Sequence, residues 1–268
     1  MTIDLQFRLV PEITLGLLVL VGCYVYALSP LNPDRPPVPV NRWRFAAFAA
    51  GAAAVFVSLH PPIDRLAEAH FSMHMLQHVL LIFFAVPLLL MGTPTWLLAP
   101  VYRLRPVRWL VRTLTRLPVA LALGPGAFWI WHVPSLYDLA LRDRAMHDLE
   151  HLSMVAGATI MWWPVLLRVA GTSPGRRATH MLYLLVLTIP GALLSSIFVF
   201  ASTPLYPWYA TSLRVFDLSP LDDQRIGGLL MKLTGTFVIW GVLSVHFFRW
   251  MSAEPSPPPV RARPVNQS

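Results

Sequence analysis

Charge is scarce in this chain of 268 residues: Asp, Glu, Lys and Arg together make up 13%. Soluble domains carry about a quarter. With 56% hydrophobic residues, the composition argues against a soluble globular protein and for one whose solvent is the bilayer, where each span must satisfy its own backbone. Cysteine is scarcer still. The single Cys23 sits in an apolar run, so neither an intrachain disulfide nor a Cys-x-x-Cys motif can form. Metal chemistry then falls to histidine, methionine and carboxylates. A phosphate loop is missing too, because "RIGGLLMK" lacks the G-x-x-x-x-G-K-[ST] spacing; its Gly227 and Gly228 suit close helix packing instead. There is no convincing internal repeat. Only Arg8 precedes the first apolar run, while Arg35, Arg42 and Arg44 follow it, so that run reads as a retained span rather than a signal peptide.

What the chain does have is apolar stretches of spanning length. Seven are expected, at about 12–28, 43–59, 72–91, 117–132, 151–170, 178–201 and 226–249. The fold class is therefore all-α and polytopic, with a single seven-helix domain over 1–250 and a Pro-rich disordered tail over 251–268. Pro and Gly inside "LGPGAFWIWH" and "TIPGALLSS" predict kinks whose freed backbone groups face other helices.

Arginine distribution orients the bundle. Fourteen arginines (35, 42, 44, 103, 105, 108, 112, 116, 168, 176, 177, 249, 261 and 263) fall on one side, against Arg8, Arg65, Arg142, Arg144, Arg214 and Arg225 on the other. The positive-inside rule then puts the N-terminus outside and the C-terminus in the cytoplasm. The same asymmetry accounts for the formal charge of +8 through anionic lipid headgroups, without nucleic acid.

On this topology seven of the nine histidines gather at the outer face: His60, His70, His74, His78, His132, His147 and His151. His180 and His246 lie toward the cytoplasmic side and read as packing or headgroup residues. Residues four apart share a helix face, so His74 and His78 form one stripe and His147 and His151 another. Two such pairs on neighbouring helices can supply four imidazoles to one metal. His132, His70 and His60 are further ligand candidates. Imidazole suits copper, zinc, iron and nickel, and thioether favours Cu(I); Met73, Met75, Met146 and Met154 stand near the pairs. Gln77, Asp148 and Glu150 sit inside the two motifs as groups that could orient the imidazoles. Lys232, about a turn and a half into the last span, needs a partner or water, and Asp222, Asp223 and Gln224 just before it form the expected charge network.

Other readings fit the same residues. "HDLEH" at 147–151 matches the inverted zinc-peptidase pattern H-x-x-E-H, which would make the chain a zinc-dependent intramembrane hydrolase with Glu150 or Asp148 as base. Facing histidines could instead ligate haem axially.

The blocks "HMLQHVLL", "AVPLLLMGTP", "WHVPSLYDLAL", "HDLEHLSM", "WWPVL", "PLYPWYA" and "SPLDDQRIGGLLMK" resemble the bacterial cytochrome c oxidase assembly factor family associated with caa-type oxidases, over about residues 10–250. The resemblance implies a multi-pass protein of the bacterial plasma membrane. It would help mature the oxidase, most simply by handling copper, with oxidase subunits as partners and no enzyme activity. It carries over His74, His78, His132, His147 and His151 as motif histidines, and Asp222, Gln224, Gly227 and Gly228 as a late Asp-Gln-Gly block. It leaves the role of Lys232 and the oligomeric state open.

Overall fold

The computed structural model of the chain describes residues 6–39, 41–167 and 177–252, and all regular structure among them is helical. Arg168, Arg176 and the tail beyond Ser252 lie outside the described residues. Helix α1 (Pro11–Leu28) is followed by α2 (Arg42–Ser58) and the short α3 (Ile63–Ala69). The next helical stretch runs from Phe71 to Gly92 as α4 (Phe71–Val79), a π-helical turn (Leu80–Ala85) and α5 (Val86–Gly92). Two short helices, α6 (Thr95–Arg103) and α7 (Arg105–Leu114), lead to α8 (Leu117–Trp131) and α9 (Pro134–Arg142). The chain ends in α10 (Arg144–Leu166), α11 (Arg177–Phe200), the five-residue α12 (Pro207–Thr211) and the long α13 (Pro220–Met251).

Among the described residues, four helices are long and apolar enough to cross a membrane: α1, Phe71–Gly92, α11 from Ala178, and α13. Two bent pairs, α2 with α3 at 43° and α8 with α9 at 66°, raise the number to six if each is one span. The expected seventh, in α10, falls short on composition, because Glu150 and His151 dilute its apolar run. The prolines at 125 and 190 sit inside continuous helices, and the measured bend falls at the Trp131–Pro134 junction instead.

The histidine-bearing segment is central. Phe71–Gly92 is 61% buried against 11% for α1, whose leucines face outward. Its π turn has an identifiable cause. Pro87 has no N–H to give, and the Val86 N–H bonds back five residues to the Leu81 carbonyl. The Ile82 carbonyl, which Pro87 cannot serve, accepts from Trp162 Nε1 on α10 at 2.9 Å. The loss inside one helix thus becomes a bond between two.

Glycines set the closest approaches. A Cβ on Gly92 would come within 2.5 Å of the Phe48 backbone nitrogen, and one on Gly227 within 2.5 Å of the Phe71 ring. Gly228 faces Phe198, and Gly124 and Gly157 let α8 and α10 meet. The packing role read for Gly227 and Gly228 from sequence holds at both positions.

Candidate metal centre

Helix α4 starts where another helix allows it. His70, the residue before it, makes no side-chain cap. The carboxylate of Asp223 on α13 takes that role: it accepts from Phe71 N (2.8 Å), Ser72 N (3.2 Å) and Ser72 Oγ (2.5 Å). Next to it, Gln224 accepts from Leu205 N and donates to the Phe198 carbonyl. Asp223 therefore fixes the start of the helix that carries His74 and His78, while Gln224 ties the segment before α12 to the end of α11. Helix α10 has its own cap, Asp143, which accepts from Met146 N at 2.9 Å.

These two helices bring His74, His78, His147, Glu150 and His151 together. Nε2 of His74 lies 2.9 Å from Nε2 of His78. The two Glu150 oxygens lie 3.7 Å from these nitrogens, one from each. His74, His78 and Glu150 form one group, and His74, His147 and His151 a second, with donor atoms inside each group all within 4.8 Å. His74 belongs to both. Ligands bound at about 2.0–2.1 Å to one ion stand ~2.9 Å apart at 90° and ~4.1 Å apart when opposite, so the 2.9 and 3.7 Å separations fit a shared ion.

The hydrogen bonds behind the rings aim them. Tyr209, on α12, donates to the Ala67 carbonyl (3.2 Å) and so can only accept from Tyr137 (3.0 Å) and from His74 Nδ1 (3.2 Å). Burial pushes the Tyr209 phenol well above its ordinary value, so it keeps its proton. That network puts the His74 proton on Nδ1 and leaves a lone pair on Nε2. His151 Nδ1 donates to the His147 carbonyl (3.1 Å), and its Nε2 is buried without a partner. Both Glu150 oxygens and His78 Nδ1 are likewise buried and unpartnered. A carboxylate fully removed from water with no donor on either oxygen is costly unless a cation or proton accompanies it. The donor set thus fits a metal ion.

A pocket of about 340 Å3 reaches this centre from the surface, with His147 and His151 in its wall. Glu12, Asp64 and Asp148 also line it, against the single cation Arg144, which pairs with Asp148 at 3.4 Å. Gln77 donates to Asp64 and to the Ser58 carbonyl, bracing α4 against the end of α2 and the first turn of α3.

Other residues grouped with the ligands by sequence lie elsewhere. His60 is held by the Phe56 carbonyl and Thr14 Oγ1. His70 Nε2 accepts from the backbone of Val215 and Phe216. Both rings tie segments together: His60 joins the end of α2 to α1, and His70 joins the α3–α4 junction to the loop before α13. His132 lies edge-on to His78, with ring centres 6.0 Å apart, outside both donor groups. Met73 is half-buried on α4, and Met154 is buried on α10 facing an internal cavity. The expected charge network does not assemble. Asp223 caps α4, Asp222 pairs with Ser219 and Arg225 (3.5 Å), and Lys232 lines the cavity well along α13. His180 and His246 pack together at 6.1 Å, at the far ends of α11 and α13 from the centre.

Sequence reasoning missed Tyr209, Tyr137 and Glu12. "PLYPWYA" advertised aromatic residues, but no pattern could tie Tyr209 to His74, 135 positions away.

Fold and site define a multi-pass helical membrane protein with a buried histidine–carboxylate centre. The chain belongs to the family described as cytochrome c oxidase caa3 assembly factor, whose profile matches residues 22–253. No curated protein and no solved structure matches it.

Proposed function

We propose that the chain handles copper as cargo for a cytochrome c oxidase of the bacterial plasma membrane, holding the ion between α4 and α10 before it passes to an oxidase subunit. The observation that carries this reading is that His74 joins two donor groups, one with His78 and Glu150 and one with His147 and His151, while both Glu150 oxygens are buried and unpartnered. The acidic pocket beside His147 supports it, because it would draw a cation toward the centre. Imidazoles with one carboxylate are strong enough to hold copper and, lacking thiolate, are stable on an oxidising face. The role is one of metal handling rather than catalysis. The zinc-hydrolase reading is less favoured, since Glu150 lies against the His74 and His78 nitrogens, a ligand's position. A porphyrin has no room between Nε2 atoms 2.9 Å apart.

The reading includes seven spans, with α10 as the seventh, shielded by its neighbours rather than by its own apolarity. The centre then faces outward. Reporter fusions at Pro118, Gly171 and the C-terminal tail are expected to give a cytoplasmic signal at all three sites. An external signal from the tail would remove the seven-span topology.

The cellular test replaces both His147 and His151 with alanine. Cells carrying that variant should insert the chain normally yet assemble an oxidase short of copper. A fully metallated, active oxidase in those cells would overturn the proposal.

A further inference from the structure

His132 is set apart from the four clustered histidines, and its partners are unusual. Its Nδ1 lies 2.8 Å from the Phe128 carbonyl oxygen, which can only accept, so the ring proton sits there and Nε2 presents a lone pair. That lone pair faces Met75 Sδ at 3.4 Å. A thioether has no proton to offer. Two acceptor atoms therefore confront each other, with His132 5% and Met75 0% exposed. The other neutral tautomer would satisfy the sulfur but set a bare Nδ1 against the carbonyl. A cation between nitrogen and sulfur resolves the conflict without moving the ring. With bonds of about 2.0 and 2.3 Å, a 3.4 Å separation subtends about 100° at a shared ion, close to tetrahedral.

The surroundings are apolar and soft. Phe128, Tyr137 and Phe198 pack around the His132 ring, with centres 4.4 to 5.9 Å away. Met231 packs in the same buried cluster as Met75 and also lines an internal cavity of about 70 Å3. Met154 and Met161 line that cavity as well. Thioethers thus lead from His132 into the middle of the bundle. A nitrogen–thioether pair in a dry setting selects Cu(I) over divalent ions, whereas the imidazole–carboxylate centre suits either copper state and zinc.

We propose that His132 Nε2 and Met75 Sδ form a second, Cu(I)-selective site beside the histidine centre. The inference shares with the functional reading only the identity of the cargo, and its test separates the two.

The test loads the full chain, purified in detergent, with Cu(I) under anaerobic reduction, and reads stoichiometry and X-ray absorption. The wild type should bind one more equivalent of Cu(I) than of Zn(II), with sulfur in the copper coordination shell. Met75→Leu keeps side-chain volume and should lose that equivalent and the sulfur signal while still binding Zn(II), which also shows that it has folded. His132→Gln should behave alike, and Met154→Leu should retain the sulfur signal. A wild-type shell of nitrogen and oxygen only, or an undiminished sulfur signal in Met75→Leu, overturns the second site and leaves the histidine centre standing. Conversely, a His74→Ala/His78→Ala variant that keeps full Zn(II) binding overturns the histidine centre, and one sulfur-ligated Cu(I) retained in it supports the second site.

Discussion

Replacing His74 with alanine is expected to weaken metal binding at the centre by about 100-fold or more, the largest loss from any single imidazole. His74 is shared by both donor groups, whereas His78 and His147 each belong to one. The effect should spread behind the ring. Tyr209→Phe removes the oxygen that accepts from His74 Nδ1, and groups that orient ligands in this way are worth roughly 10–100-fold in affinity. His180→Ala and His246→Ala should change affinity little, because their rings pack against each other away from the centre. Competition with a chelator of known affinity measures all of these on one scale. Equal losses from His74→Ala and His180→Ala would mean that the clustered rings are structural.

Asp223→Ala should be the most destabilising change outside the centre. One buried carboxylate serves two backbone N–H groups and a hydroxyl at the start of α4, and its loss orphans all three. Hydrogen bonds to a charged group are worth about 1.5–3 kcal/mol each, so a loss on the order of 3 kcal/mol is expected, seen as a lower melting temperature in detergent and less protein in the membrane. Metal affinity should fall with it, since α4 positions His74 and His78. The adjacent Asp222 provides the control. It is exposed, accepts from Ser219 Oγ at the start of its own helix and pairs with a partly exposed Arg225, so Asp222→Ala should cost about 1 kcal/mol or less. Similar stability of the two variants would show that Asp223 does not hold α4 in place.

The two aspartates mark the boundary of what the sequence carries. Four-residue spacing was enough to place His74 with His78 and His147 with His151, because helix periodicity is local. It left Asp148 and Glu150 of "HDLEH" as equal candidates, and only the fold turns Glu150 inward toward His74 and His78. Spacing could not assign Asp223 to the start of a helix 151 positions earlier, nor separate it from Asp222, since nothing in "SPLDDQR" shows which carboxylate turns inward. The same limit explains His60 and His70. Their depth in the membrane matched that of the ligands, but their ring nitrogens were claimed by nearby loop backbone and a threonine on α1, contacts that only the fold creates. The long helices were legible, whereas the short α3, α6, α7, α9 and α12 in the connections between expected spans were not. Span number was less legible than the long helices, because α10 combines a polar, ligand-bearing first half with an apolar second half, and hydropathy averages the two. Lys232, the chain's single lysine, was paired on paper with carboxylates nearby in sequence, but two to three helical turns along α13 carry it into the internal cavity instead.

The most direct test of the central claim is the electron paramagnetic resonance spectrum of the purified chain loaded with divalent copper, a state that does not favour thioether ligands. The wild type should give a single copper signal with nitrogen hyperfine structure. A variant with His74, His78, His147 and His151 all replaced by alanine should lose that signal while inserting into the membrane at normal levels, and the His180→Ala/His246→Ala variant should keep it. An unchanged nitrogen-ligated copper signal from the four-histidine variant would contradict the account.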